Sequence, residues 1–258
     1  MKKKSVFCLG ACLALMACPS GPSPSGHGPS DKDEAAAIER KIDHLEGLLA
    51  RHSSAGGVLD DLISALPERV WLTEAAYDPG KVQVKGRAPS NNVLADYVSR
   101  LDGSSFLTNV VLRSSAMKIV KGRESQEFAL EALPRDAGSA AAPSGMSPAA
   151  RLEALEKALP SRQDTAGTLR ELQRLALESG LQMTKFTPGA EFAGEFAVEL
   201  PVAIEVVGDR SELRRYLLGF ADPARFWVVE RFSFKAVSPE DPRSQVRASI
   251  AARAYFSP

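Results

Sequence analysis

Beyond residue 18 the chain of 258 residues has no cysteine: its three are Cys8, Cys12 and Cys18. That removes a disulfide framework, a CxxC redox pair, a cysteine nucleophile and a thiolate metal site from the rest of the protein. Histidine is nearly as scarce. His27 sits among prolines and glycines, and His44 and His52 stand eight apart, whereas a metal-binding pair on one helix is spaced i, i+4. No GxSxG elbow, GxxxxGK[ST] loop or GxGxxG turn after a strand occurs. Charge of either sign is not in excess, with 32 basic residues against 32 acidic, and no basic stripe carries interleaved aromatics. Nucleic acid is therefore not expected as a partner. The carboxylate pairs, Asp60-Asp61 at an expected helix start and Glu240-Asp241 in a proline-flanked turn, read as structural. Glu191, Glu195 and Glu199 are the carboxylates left for acid–base work. No catalytic residue, cofactor or metal is assigned, and the reading is not that of an enzyme.

The cysteines that are present cluster at the N-terminus. Lys2, Lys3 and Lys4 precede an apolar run from Ser5 to Ala17, too short to span a bilayer unaided. The run ends Leu15-Met16-Ala17-Cys18, which looks like a bacterial lipobox. Cleavage before Cys18 and acylation of its thiol are expected, each acyl chain contributing about 0.8 kcal/mol per buried CH₂. The three signal lysines subtracted from 32 leave 29 basic residues against 32 acidic, a mature balance of −3. The protein is expected in the periplasm, lipid-anchored to the inner or the outer membrane.

Composition shifts divide the chain into a signal peptide (1–17), a lipidated cysteine with a Pro/Ser/Gly tether (18–33), a short helix with a first domain (34–133), a linker (134–148) and a short helix with a second domain (149–258). The segment PSGPSPSGHGPS from Pro19 to Ser30 buries nothing and acts as a spacer. Ile38, Ile42, Leu45 and Leu49 form a heptad seam that Gly56-Gly57 is expected to break. Leu152, Leu155 and Leu159 repeat the idea before Pro160.

One short pattern occurs twice. Leu94, Tyr97, Val98 and Leu101 fall at i, i+3, i+4, i+7, and so do Leu213, Tyr216, Leu217 and Phe220. Each stripe follows a glycine, Gly86 or Gly208, and precedes a phenylalanine, Phe106 or Phe226. This predicts a duplicated strand–helix–strand unit. Alternating runs predict further strands around Val70–Ala76, Val82–Gly86, Glu127–Leu133, Leu181–Phe186, Phe196–Val207 and Val246–Phe256. Pro201 within one of them implies an edge strand, or a proline facing outward at an edge. Gly180 should close a helix from Thr168 in the left-handed conformation, and Asp209 with Glu212 suggests a capping box. Both halves then run helix, strand, strand, helix, strand, strand. Moving the last strand to the front gives the ferredoxin-like order, so the fold class is α+β, two tandem permuted ferredoxin-like domains.

These residues carry a resemblance. Leu62-Ile63-Ser64-Ala65-Leu66-Pro67, Val70-Trp71-Leu72-Thr73, Val84-Lys85-Gly86-Arg87-Ala88 and the Leu94–Leu101 helix resemble the periplasmic domain of PilN, the fimbrial assembly protein. Leu159-Pro160, Leu172 to Leu181, Phe186-Thr187-Pro188, Leu200-Pro201-Val202, Gly208 and the Leu213–Phe220 helix resemble PilO. GspL and GspM of type II secretion are relatives. The resemblance implies a structural scaffold of a type IV pilus or type II secretion machine, with inner-membrane alignment proteins and secretin-associated proteins as partners, and homodimers as one form. A lipidated Cys18 stands where those families carry a transmembrane helix, which puts binding of a PilM-like partner in doubt. Trp71, Trp227, Ile38, Ile42, Leu45 and Leu49 are the residues expected at an interaction surface. The alternative from another class is a periplasmic module binding a ligand or cell-wall polymer.

Overall fold

The computed structural model describes residues 31–120, 122–135, 147–159, 165–220 and 227–257. The expected signal, Cys18, the tether through residue 30 and linker residues 136–146 lie outside the described residues. No described helix is long and apolar enough to cross a membrane.

The first half consists of α1 (Asp31–Ser64), β1 (Trp71–Asp78), β2 (Lys81–Ala88), α2 (Asn91–Asp102), β3 (Leu107–Val120) and β4 (Arg123–Pro134). The second consists of α3 (Pro148–Ala158), α4 (Thr165–Ser179), β5 (Gln182–Pro188), the two-residue β6 (Phe192–Ala193), β7 (Val198–Gly208), α5 (Arg210–Phe220), β8 (Trp227–Ala236) and β9 (Val246–Phe256). The stripes named above become the buried faces of α2 and α5. Ser90 caps α2, its Oγ accepting from Val93 N. Glu212 accepts from Asp209 N at 2.7 Å, the carboxylate side of a capping box on α5. Gly180, at φ +88°, ends α4 as expected.

Gly56-Gly57 does not interrupt a helix. It lies inside α1, which runs unbroken for 34 residues. A Cβ at Gly56 would stand 2.9 Å from Leu217 O, and one at Gly57 2.5 Å from the Phe106 ring. The glycines let α1 lie close against α5 and the start of β3, and that packing offsets a helix penalty of about 1 kcal/mol each. Because the helix continues, Asp60-Asp61 lies near its C-terminal end, not at a helix start.

Strand order confirms the permuted ferredoxin-like plan in both halves and then joins them. The order is β3-β4-β2-β1-β8-β9-β7-β5, with β6 extending the pairing along β7. Within each half the sheets β3-β4-β2-β1 and β8-β9-β7-β5 correspond strand for strand: β3 with β8, β4 with β9, β2 with β7, β1 with β5. The bulges correspond too. Register slips at Thr73 in β1 and at Thr184 in β5, and again at Arg113 in β3 and Glu230 in β8. A bulge is a specific local feature, and finding both in matching strands supports duplication better than helix spacing alone.

β7 is not an edge strand: β9 pairs along its whole length, and β5 with β6 cover the other side. Pro201 falls where β5 ends and β6 has not begun, its carbonyl accepting from Gly189 N at 2.8 Å. The missing N–H therefore interrupts no ladder.

One hydrophobic core runs under both halves, from Val58, Leu59 and Leu62 of α1 through Tyr97, Phe128 and Leu130 to Tyr216, Trp227, Phe232, Phe234 and Ile250. A smaller cluster joins Leu45 and Leu48 of α1 to Leu159, Ala197, Val228 and Tyr255, with Leu152 and Leu155 of α3 against it. Lys41 and Glu156, and Arg151 and Glu46, form ion pairs between α1 and α3.

Candidate interaction site

The two halves meet along β1 and β8, which pair antiparallel over Glu74↔Lys235, Ala75↔Phe234, Ala76↔Ser233 and Tyr77↔Phe232. Four residue pairs are a short ladder, and side chains reinforce it. Tyr77 stacks on Phe232 with ring centroids 5.5 Å apart and planes 12° from parallel. Arg231 reaches Asp78 at 3.2 Å. Glu74 lies between Lys85 of β2 at 3.0 Å and Lys235 of β8 at 3.3 Å, tying the two sheets through one carboxylate. Partial burial pulls the Glu74 pKa upward, but the hydrogen bonds and charges of the two lysines outweigh it and hold the carboxyl below its ordinary value.

Arg210 closes the seam above the sheet. Beside the bulge at Thr73 the guanidinium of Arg210 donates to the Leu72 carbonyl from Nε at 3.0 Å and Nη2 at 2.7 Å. Its Nη1 donates to Pro242 O at 3.0 Å and Ser244 O at 3.1 Å. One side chain thus ties an irregularity in the first half to the β8–β9 turn of the second. Burial pulls its pKa down against the charges of Asp209 and Asp241. On the helical layer Arg214 of α5 pairs with Asp60 of α1 and also donates to Ser64 Oγ at 3.3 Å. Asp61 accepts from Ser104 Oγ and from Phe106 N at 3.1 Å, holding the α2–β3 connection to α1.

Of the residues expected at an interaction surface, Trp71 is half-buried at the seam, its Nε1 donating to Pro239 O in the β8–β9 turn at 3.1 Å. Trp227 is a core residue, 2% exposed and edge-on to Phe220. Ile42 and Leu45 are also buried within the chain, and Ile38 is half-buried. These three positions of the heptad therefore cover the protein's own interior, because α3 and the β7–β9 end of the sheet lie against that part of α1. Leu49 belongs to α1, and its side chain is outside the described residues. Cys18 lies outside them as well.

Histidine and carboxylates have structural company. His44 packs its ring on Phe196, centroids 5.5 Å apart. Glu199 pairs with Arg253, and Glu195 with Arg40 at 3.7 Å. Among the described residues no group of histidine and carboxylate side chains is arranged to hold a metal ion.

What the sequence reading missed is the seam itself: Arg210, Glu74 and Arg214 stand out in no motif, and Asp60 reads only as a helix-start carboxylate. Each is an ordinary charged residue in a helix or strand, and only its partner across the seam distinguishes it. The Glu-rich or Lys-rich character of a strand face says nothing about which strand it will lie beside.

Comparison with known proteins agrees with this division. Residues 57–133 match the family of the fimbrial assembly protein PilN. Residues 164–257 match the type IVa pilus alignment subcomplex PilO C-terminal domain. The type IV pilus inner membrane component PilO of Pseudomonas aeruginosa is 34% identical over 102 residues, covering 40% of this chain and 49% of that protein. The chain therefore spans about half the length of that relative. The crystal structure of the type 4 fimbrial biogenesis protein PilO from the same organism shares 30% identity, covering 43% of this chain and 87% of the other, with a TM-score of 0.36. The core region of that PilO shares 32% identity over 35% of this chain and 91% of the other, with a TM-score of 0.32. With both family regions in tandem, the chain is a fusion of a PilN-like domain with a PilO-like domain.

Proposed function

We propose that this protein is a structural scaffold of a type IV pilus assembly machine, working through protein–protein contacts in the periplasm. The observation that carries the reading is the pairing of a PilN-like and a PilO-like domain in one chain and one sheet. Fusion fixes their ratio at one to one and raises the effective concentration of each for the other. The seam then sets their orientation, so that a partner meets one rigid surface. In this reading residues 1–17 are a signal, Cys18 carries the lipid, and the tether lets the sheet stand off the membrane. Its neighbours are inner-membrane alignment proteins of the pilus or of a related type II secretion system.

The reading is tested by deleting the gene and scoring piliation, twitching and secretion, with crosslinking in native cells followed by mass spectrometry. Loss of pili, with recovery of pilus inner-membrane components, is expected. Normal piliation, twitching and secretion in the deletion strain would refute it. Replacement of Cys18 by serine should release the protein from the membrane fraction, and retention there would refute the lipid anchor.

A further inference from the structure

The seam joins unlike edges. It pairs β1 of the first half with β8 of the second, and these strands occupy opposite edges of the shared ferredoxin-like plan. The two strands left at the ends of the sheet are β3, the counterpart of β8, and β5, the counterpart of β1. Each molecule therefore ends in the same two kinds of edge that already pair within it.

The helical face shows the same asymmetry. In the second half Trp227, Val229, Phe232 and Phe234 of β8 are all buried beneath the helical layer, to which α1 of the first half contributes beside α5. Counting from the bulges at Glu230 and Arg113, their counterparts in β3 are Val110, Leu112, Ser115 and Met117. Here, among the described residues, no helix from another half arrives. Val110, Leu112 and Ser115 instead line an open groove of about 670 Å³ beside α2, with Leu94, Ala95 and Val98 on its other wall. Leu112 is 43% exposed and Met117 66%.

Exposed apolar side chains gather at both ends. Of the eight large hydrophobics exposed among the described residues, Leu112, Met117 and Ile119 lie on the helical face of β3, and Leu177 of α4 lies at the β5 end. Leu133 and Phe192 face the other side of the sheet. Exposed apolar side chains on an open edge are candidates for an interaction site. Lysine on an open edge is a common guard against pairing. Lys118 of β3 and Lys185 of β5, however, each pair with a glutamate of the neighbouring strand, Glu127 and Glu205.

We infer that a second copy of this chain docks at the groove, its α4–β5 edge seated on α2–β3 as α1–β1 sits on α5–β8 within one molecule. The register follows from the seam. Ala75 faces Phe234 there, two residues after one bulge and four after the other. The same count from Thr184 and Arg113 places Phe186 opposite Met117 on the helical face. It also sets Lys185 opposite Lys118, where the seam has Glu74 opposite Lys235. This like-charge pair opposes the contact and is offset only by the flanking Glu127 and Glu205. Such a contact is heterologous, so it leaves one free edge of each kind and propagates into rings or open filaments. This inference is independent of the pilus assignment.

The test uses the full chain in detergent, with mass measured by sedimentation against concentration and folding checked by circular dichroism and melting. The wild type should grow past the dimer mass. Leu112→Glu, which blocks only the β3 end, and Leu177→Glu, which blocks only the β5 end, should each be monomeric alone. Mixed in equal amounts they should restore a dimer of twice the monomer mass, because each variant keeps the edge the other has lost. A wild type that stays monomeric, or that associates only with a different envelope protein, would overturn the inference. So would a stable dimer of either variant alone, since that is the mark of a like-with-like contact.

Discussion

Trp227 and Val110 stand at corresponding places in the two halves, and their surroundings differ almost completely. Trp227 is 2% exposed beneath α5 and the first half's contribution to the helical layer, whereas Val110 lines an open groove with no such cover. Both belong to the same kind of strand in the same kind of sheet. The difference lies in what arrived on the strand's outer side: β8 has β1 there, and beyond β3 no strand of the described residues follows. A ferredoxin-like unit presents two edges and one helical layer, and the local sequence adapts to whichever edge is used. β8 reads WVVERFSF, rich in aromatics facing inward, while β3 reads LTNVVLRSSAMKIV, with serine where a phenylalanine would lie.

Truncating the two residues should separate the halves most. Trp227→Ala should cost about 3–5 kcal/mol of unfolding free energy, whereas deleting two methyl groups at Val110 should cost only about 1 kcal/mol. Urea unfolding of the two variants measures the gap, and equal losses would mean that the groove is as tightly packed as the covered edge. Next in size is Arg210→Leu. It removes the bonds to Leu72, Pro242 and Ser244, with an expected cost of about 2–3 kcal/mol. Amide exchange should then rise in β1 and the β8–β9 turn before it rises in β4. Uniform acceleration would show that the seam has no separate stability.

The features behind these effects differ in how visible they are from the sequence. The stripes of α2 and α5 were legible because four apolar residues at helical spacing have one packing solution, and so was the strict alternation of Lys81–Lys85, buried and exposed by turns. The helix through Gly56-Gly57 was not legible. A glycine pair signals a break unless α5 and Phe106 are known to press against it. The edge status of Pro201 was half legible: the missing donor does face a gap, but the gap between β5 and β6 is too short to leave a periodic signature. The seam was illegible altogether, because pairing between β1 and β8 spans more than 150 residues and depends on charges that look like any solvated face. The candidate site followed suit, with Trp71 found at the seam and Trp227, Ile42 and Leu45 turned inward.

The tyrosines of the two stripes also set the halves apart. Tyr97 and Tyr216 are both fully buried, and burial raises the phenol pKa of each. Tyr97 donates to Leu62 O of α1 at 2.9 Å, while the Tyr216 hydroxyl has no partner among the described residues. Tyr97→Phe should therefore cost about 1–2 kcal/mol, for the lost bond and the stranded carbonyl, and Tyr216→Phe about 0. The outcome is read from paired denaturation curves. A comparable loss at Tyr216 would reveal a partner for its hydroxyl.

The smallest expected effect concerns the residue after each edge bulge, Glu74 in β1 and Lys185 in β5, where the two halves carry opposite charge. Glu74 has Lys85 and Lys235 on either side, and its folded pKa lies below the unfolded value near 4.5. A carboxylate of this kind stabilises the fold above the unfolded pKa and loses that contribution as pH falls through the folded one. The seam should thus weaken below about pH 4.5, seen as faster exchange of the β1 amides relative to those of β4. The carboxylate is partly exposed, so solvent screening keeps the contribution within about 1 kcal/mol. Glu74→Gln should remove this component of the pH dependence, while Lys185→Gln at the open edge should leave the seam's response to acid unchanged. If Glu74→Gln left the difference between β1 and β4 intact, another carboxylate would have to hold the two sheets together, and Asp78 beside Arg231 is the next one along the ladder.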